Sequence, residues 1–295
     1  MFLPVTILYN KFITRYCLGE LFSFFYYLLT FYKRLFNFYK YVVKYTRVKG
    51  EDNSVKILAF DTSNKTLTVS LMEDTLLLGE ITTNVNKNHS VTLMPAIADL
   101  MEKVGLTPQD IDRIVVAQGP GSYTGLRIGV TTAKTLADTL NCELVGVSSL
   151  AVLAANCRNY NGVIVPLFDA RRNNVYTGLY KWQENELQTV KNDTHIALTD
   201  LLLQLAFEKE ILFVGEDVIK FSDQIKTALP HATINQVPHW QVPNGAVLAE
   251  LGAKKAPVLE IDAFLPLYLK RVEAEEKWIA SHQDWTGDEN YVEKI

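Results

Sequence analysis

The sequence predicts an α/β fold of two lobes, each with a central mixed sheet and flanking helices, starting at Val55. Three observations predict it. Short apolar runs of strand length alternate with longer segments of helical spacing from Val55 to Ala253. A three-stranded meander followed by alternating helix and strand occurs twice, which implies an internal duplication on element order alone, since identity between the copies is negligible. A chain of 295 residues with 48% apolar content can also bury a sizeable core, and its length fits about two domains.

The first lobe is read over residues 55–150. Val55–Phe60 is an apolar run stopped by Asp61-Thr62-Ser63-Asn64, hence a buried strand entering a polar turn. Leu67–Leu71 and Leu76–Ile81 complete a meander. His89–Val104 has helical spacing with two adjacent apolar stripes, Leu93, Ile97, Leu100, Val104 and Met94, Ala98, Met101. One stripe suffices to cover a sheet, so the second is either buried as well or a partner surface. Ile111–Ala117 is the next strand, followed by a glycine-rich turn and a helix to Leu140 in which Gly129, Ala133 and Ala137 allow close backbone packing. Leu144–Val147 closes the lobe, and Ser148-Ser149 is a cap for the next helix.

The second lobe is read over residues 151–270. Strands are expected at Val163–Phe168, Val175–Lys181 and Glu186–Val190, then a helix at Thr199–Phe207, a strand at Ile211–Val214 and a helix at Asn244–Ala253. Residues 271–295 form an acidic tail.

Composition changes abruptly near residues 49–54. The first fifty residues hold eight Lys/Arg against the single acid Glu20, and 16 of the 32 aromatics, so the net charge of −4 leaves −11 for the remainder. The uncharged run Leu21–Tyr32 is too short to span a bilayer, and recurrent Lys and Arg exclude a secretory signal. Residues 1–54 therefore read as translated upstream sequence, with the native start at Val55, or as a disordered or membrane-surface arm. A body at −11 is poorly suited to bind nucleic acid by neutralising phosphates, so a partner is expected to hold any RNA. Cys17, Cys142 and Cys157 are few, odd in number and unspaced for zinc, which suits a reducing cytoplasm.

Two local features carry chemistry. Asp61, followed by Thr62 and Ser63, ends a first strand, and this resembles the turn by which proteins of the actin, Hsp70 and sugar-kinase superfamily approach a phosphate or its metal. Gly119-Pro120-Gly121-Ser122-Tyr123-Thr124-Gly125 leads into a helix, offering backbone N–H groups beside a positive helix end; the same string also serves as a tight strand-to-helix turn. Arg127 either anchors that turn through its carbonyls or contributes to an anion site shared with a partner.

The strings FDTS at 60–63, NHSVTLMPAI at 88–97, GPGSYTGLRIG at 119–129, LVGVSSL at 144–150 and PLYLKRVEAEEKW at 266–278 closely resemble the bacterial TsaB (YeaZ-like) family, in order over nearly all of residues 55–278. That resemblance implies the duplicated actin/Hsp70/sugar-kinase-like (ASKHA) fold. It also implies a part in placing threonylcarbamoyl on N6 of an adenosine in tRNAs that read codons beginning with A. Members pair with a catalytic TsaD-like paralogue and a TsaE-like ATPase and meet tRNA indirectly through the complex.

The paralogues hold a metal through a His-x-x-x-His pair on the first helix, whereas here His89 is followed four residues later by Leu93. The second-lobe turn Val214-Gly215-Glu216-Asp217 puts acid where phosphates would come close. The expectation is a non-catalytic scaffold with no metal or cofactor of its own, ATP or ADP being held at the contact with the paralogue. The expected interface is His89, Val91, Leu93, Met94, Ile97, Leu100 and Met101, joined by Leu126 and Val130. The expected residual nucleotide or anion site is Asp61, Ser63, Gly119, Gly121, Ser122, Gly125 and Arg127. An exposed apolar helix leaves a homodimer open when the partner is absent. The alternative is an independent glycoprotease-like metalloenzyme or small-molecule kinase of the same fold.

Overall fold

A computed structural model describes residues 54–85 and 88–270. The readings of residues 1–53 and of the acidic tail at 271–295 lie outside the described residues.

The first sheet is built from β1 (Lys56–Asp61), β2 (Leu67–Glu73), β3 (Leu76–Thr83), β4 (Arg113–Gly119) and β5 (Glu143–Ser148), in the order β3-β2-β1-β4-β5. β1 runs antiparallel to β2 and parallel to β4, and all six of its residues are buried. A strand covered on both faces reads as a continuous apolar run, which is why VKILAF was legible. α1 (His89–Val104) packs over β2 and β3, and α2 (Tyr123–Leu140) over β4. α3 (Ser149–Ala155) follows β5, capped by Ser148, whose Oγ accepts from the amides of Leu150 and Ala151 at 3.1 Å. Residues 105–110 carry a single 3-10 turn at Pro108–Asp110, closed by Thr107 Oγ1 donating to Asp110 Oδ2 at 2.7 Å.

The second sheet repeats the first. β6 (Val163–Asp169), β7 (Asn174–Gln183), β8 (Glu186–Ala197), β9 (Ile211–Val214) and β10 (Thr233–Ile234) lie in the order β10-β9-β6-β7-β8. β6 is antiparallel to β7 and parallel to β9, as β1 is to β2 and β4. Two mixed five-stranded sheets of one topology establish the duplicated α/β architecture. α4 (Leu198–Gln204), a 3-10 segment at Glu216–Phe221 and α5 (Ser222–Ala228) enclose a core of Val163, Val165, Leu167, Phe213, Leu201 and Ile225.

Two departures from the sequence reading matter. α6 (Gly245–Ala253), assigned by chain order to the second lobe, puts Leu248 and Ala249 against Ile57, Ala59, Val115 and Val145 of the first sheet. α3 serves both lobes, with Val152 in the first core and Leu150, Leu153 and Ala154 in the second. Among the described residues, no helix is long and apolar enough to cross a membrane.

Candidate functional site

The turn after β1 and the turn before α2 are fitted against each other. Ser122 N donates to the Ser63 carbonyl at 2.7 Å, and Thr62 Oγ1 donates to the Gly125 carbonyl at 2.7 Å. A Cβ on Gly121 would overlap the carbonyl oxygen of Ser63, and one on Gly125 that of Thr62. On Gly129 it would stand 2.5 Å from Thr62 Oγ1. Gly121 and Gly125 let backbone lie on backbone, and Gly129 makes room for the Thr62 side chain. Ser122 caps α2, and the Gly119–Pro120 peptide is cis.

Asp61 lies at the bottom of this contact, wholly buried, with Oδ1 accepting from Ser63 N at 2.7 Å. Burial pushes its carboxyl from 3.8 up to about 6, against the opposing pull of the Ser63 amide. Asp61 Oδ2, Ser63 Oγ and His89 Nδ1 are buried polar atoms. Arg127 does not take the first of the roles expected of it, that of anchoring the turn through its carbonyls. Its guanidinium lies 5.1 Å over the ring of Tyr123, and among the described residues it makes no hydrogen bond to the turn carbonyls.

Opposite, the second-lobe acids are occupied by the protein. Asp217 Oδ2 accepts from Asp169 N at 2.9 Å, while its Oδ1 pairs with Lys220 Nζ at 2.8 Å. Lys220 also meets Asp169 at 2.9 Å. Burial alone would raise the Asp169 carboxyl, but Lys220 and the Arg171 amide outweigh it and hold it below the usual range. Glu216 Oε1 accepts from Asn84 Nδ2 at 2.7 Å, a bond between the lobes.

On α1, the His89 ring bonds through Nε2 to the Asn64 carbonyl at 2.7 Å, which ties the start of the helix to the turn after β1. The expected interface needs correction. Leu93, Ile97, Leu100 and Met101 are at most 4% exposed, as are Leu126 and Val130 on α2. They fasten their helices to the chain's own core and have no surface to offer a partner. Outward instead stand Val91, 60% exposed, with half-buried Met94 and exposed Pro95 and Ala98. Pro95 was not singled out in the sequence, although its place one turn after Val91 is the available signal.

The sequence model described as TsaD, tRNA N6-adenosine threonylcarbamoyltransferase, matches residues 77–278. A TsaB protein of Bacillus subtilis (strain 168) is 43% identical over 228 residues, covering 77% of this chain and 99% of that one. The chain belongs to the TsaB family. TsaB of Escherichia coli (strain K12) is 31% identical over 136 residues, 44% of this chain and 57% of that protein. The solved YeaZ of Pseudomonas aeruginosa covers 73% of this TsaB-family chain and all of its own, at 23% identity and a TM-score of 0.61. A second P. aeruginosa structure, described as similar to peptidase YEAZ, gives 24% identity and a TM-score of 0.64 over 73% of this chain and 100% of its own. Both share the fold.

Proposed function

We propose that this TsaB-family chain is a scaffold in the machinery that builds threonylcarbamoyladenosine in tRNA, and that it docks a catalytic TsaD-like paralogue on the outward face of α1. The pathway follows from membership of a family whose Bacillus subtilis member is named a tRNA threonylcarbamoyladenosine biosynthesis protein.

One observation carries the docking role. After α1 has committed Leu93, Ile97, Leu100 and Met101 to its own core, it still exposes Val91, Pro95 and Ala98, flanked by Met94. Positions 91, 94, 95 and 98 lie on one face at three- and four-residue spacing, and their slim side chains suit close helix packing. A scaffold in place of a catalyst is supported by the commitments of the other groups. The imidazole of His89 is bonded to Asn64, and the residue one turn later is the buried Leu93. Glu216 and Asp217 stand at the cleft with partners of their own, so ATP or ADP belongs at the paralogue contact, where a TsaE-like ATPase and tRNA join the assembly.

Val91→Glu and Ala98→Glu are expected to melt like the parent, because both sites are exposed, and to lose co-purification with the paralogue. Leu93→Glu is expected to unfold the chain. A folded Val91→Glu, Ala98→Glu double variant that still holds the paralogue would overturn the docking face. Turnover of ATP or peptide by the lone chain would overturn the scaffold reading.

A further inference from the structure

We propose that Arg127, Tyr123 and Tyr268 form a stacking platform that receives one unpaired nucleobase of an RNA on the outer face of Tyr268. The proposal rests on the tRNA-modifying role above. Its physical basis is a cluster of flat groups: the Arg127 guanidinium lies 5.1 Å over the Tyr123 ring, and that ring stacks on Tyr268 at 5.0 Å with 29° between planes. Tyr123 and Tyr268 are nonetheless 43% and 42% exposed. Arg127 and Tyr268 both lie against the Tyr123 ring, and Tyr268 keeps an exposed part of its own.

The platform is assembled from two distant strings and held rigidly. Tyr123 opens α2 and Arg127 lies one turn on, so both belong to GPGSYTGLRIG, whereas Tyr268 belongs to PLYLKR. The later segment is fixed to the end of β4 by Leu267 N donating to the Gln118 carbonyl and by Gln118 Nε2 donating to the Leu265 carbonyl, both at 2.8 Å. Gly119 makes that approach possible, since a Cβ there would stand 2.6 Å from the Leu267 carbonyl oxygen. The α1 face uses none of these residues.

A cation over one of two stacked aromatic rings favours a flat π-faced ligand such as a nucleobase. A single stack of this kind needs no phosphate track. That fits a body with a net charge of −11, in which RNA backbone contacts must come from the partner.

The test uses the complex of this chain with its paralogue and an anticodon stem-loop RNA carrying a fluorescent purine analogue in the loop. Tyr268→Ala is expected to raise the RNA Kd roughly tenfold and to abolish stacking quench of the analogue, while leaving paralogue association intact. Tyr268→Phe is expected to keep both RNA readouts. Unchanged Kd and quench in Tyr268→Ala would overturn the proposal. So would loss of the paralogue in that variant, which makes Tyr268 a protein contact, or equal quenching of the free analogue nucleotide, which makes the ligand a mononucleotide. If the parent chain itself fails to bind the paralogue, the docking reading falls instead, and Tyr268-dependent quenching of the stem-loop by the chain alone at low salt still decides the platform.

Discussion

Gly125→Ala separates the two uses open to the glycine-rich turn. As a packing device, the turn has no room for the methyl group, which would overlap the carbonyl oxygen of Thr62. That oxygen is backbone and has no rotamer to escape into. Alanine gains about 1 kcal/mol of helix propensity over glycine. Against this, overpacking costs about 1–3 kcal/mol. Displacing α2 also loosens the Thr62 Oγ1 to Gly125 and Ser122 N to Ser63 hydrogen bonds, each worth about 1 kcal/mol. The net expectation is a loss of about 2–3 kcal/mol, a fall in Tm of roughly 5–10 °C for a body of this size, read by circular dichroism. Gly129→Ala supplies an internal control, because its methyl group meets a removable side-chain atom, Thr62 Oγ1, at 2.5 Å, whereas Thr62 Cβ is at 3.8 Å. It should therefore destabilise the parent yet stabilise a Thr62→Ala background by about 0.5–1 kcal/mol, an opposite sign that a double-mutant cycle detects. If Gly125→Ala melts at or above the parent temperature while phosphate raises the Tm of the parent only, the turn is an anion cradle and the packing argument is refuted.

Asp61 gives a pH dependence of defined sign. Its carboxyl moves from 3.8 to about 6 on folding, so the folded chain retains a proton that the unfolded chain releases between those values. The stabilisation is full below the lower value and is lost as pH rises through the upper one, a change of about 3 kcal/mol if the shift is realised in full. Asp61→Asn should thus gain stability relative to the parent as pH rises across that window, and parallel melting curves from acid to neutral pH would contradict it. Burial pushes the Cys157 thiol up to about 12, and burial with the charges of Asp112 and Glu143 does the same for Cys142. Both thiols should resist alkylation at pH 8 in the native chain and react after denaturation, and rapid native labelling of either peptide, read by mass spectrometry, would contradict it.

What the sequence displays depends on how local the controlling physics is. β1 and α1 are legible because a doubly covered strand is apolar throughout and a long helix repeats its pattern over several turns. β8 is expected to stop at Val190 but runs to Ala197, because an edge strand with solvent on its outer side carries polar residues such as Lys191 and Asn192 without penalty. The 3-10 segment at 216–221 and α5 are too short to show a period. On α1, spacing identifies two stripes but not which atoms the sheet covers; Met101 turns inward with Leu100, while Val91 stays out. Tyr123 and Tyr268 meet only because the chain returns to β4, a contact to which no local pattern refers.

The cleft between the lobes is tied at more than one level, and this bears on how such a chain can work. Ser148 caps α3 and also donates to Asp193 Oδ2 at 2.5 Å, while the Tyr180 hydroxyl donates to the other oxygen of the same carboxylate. Burial raises the Asp193 carboxyl, so these two hydroxyls are what make its ionised form tolerable there. This knot joins the last residue of the first sheet to β7 and β8 of the second. Asn84 and Glu216 join the lobes again at the opposite turns, and α3 puts side chains into both cores. Domain closure on a ligand requires a hinge that can absorb backbone rotation at low cost. Here rotation would separate a half-buried carboxylate from its donors and pull apolar side chains out of a shared wall. A body braced in this way is better suited to presenting a fixed face, and the outward side of α1 is a face that such bracing would keep in register with a partner.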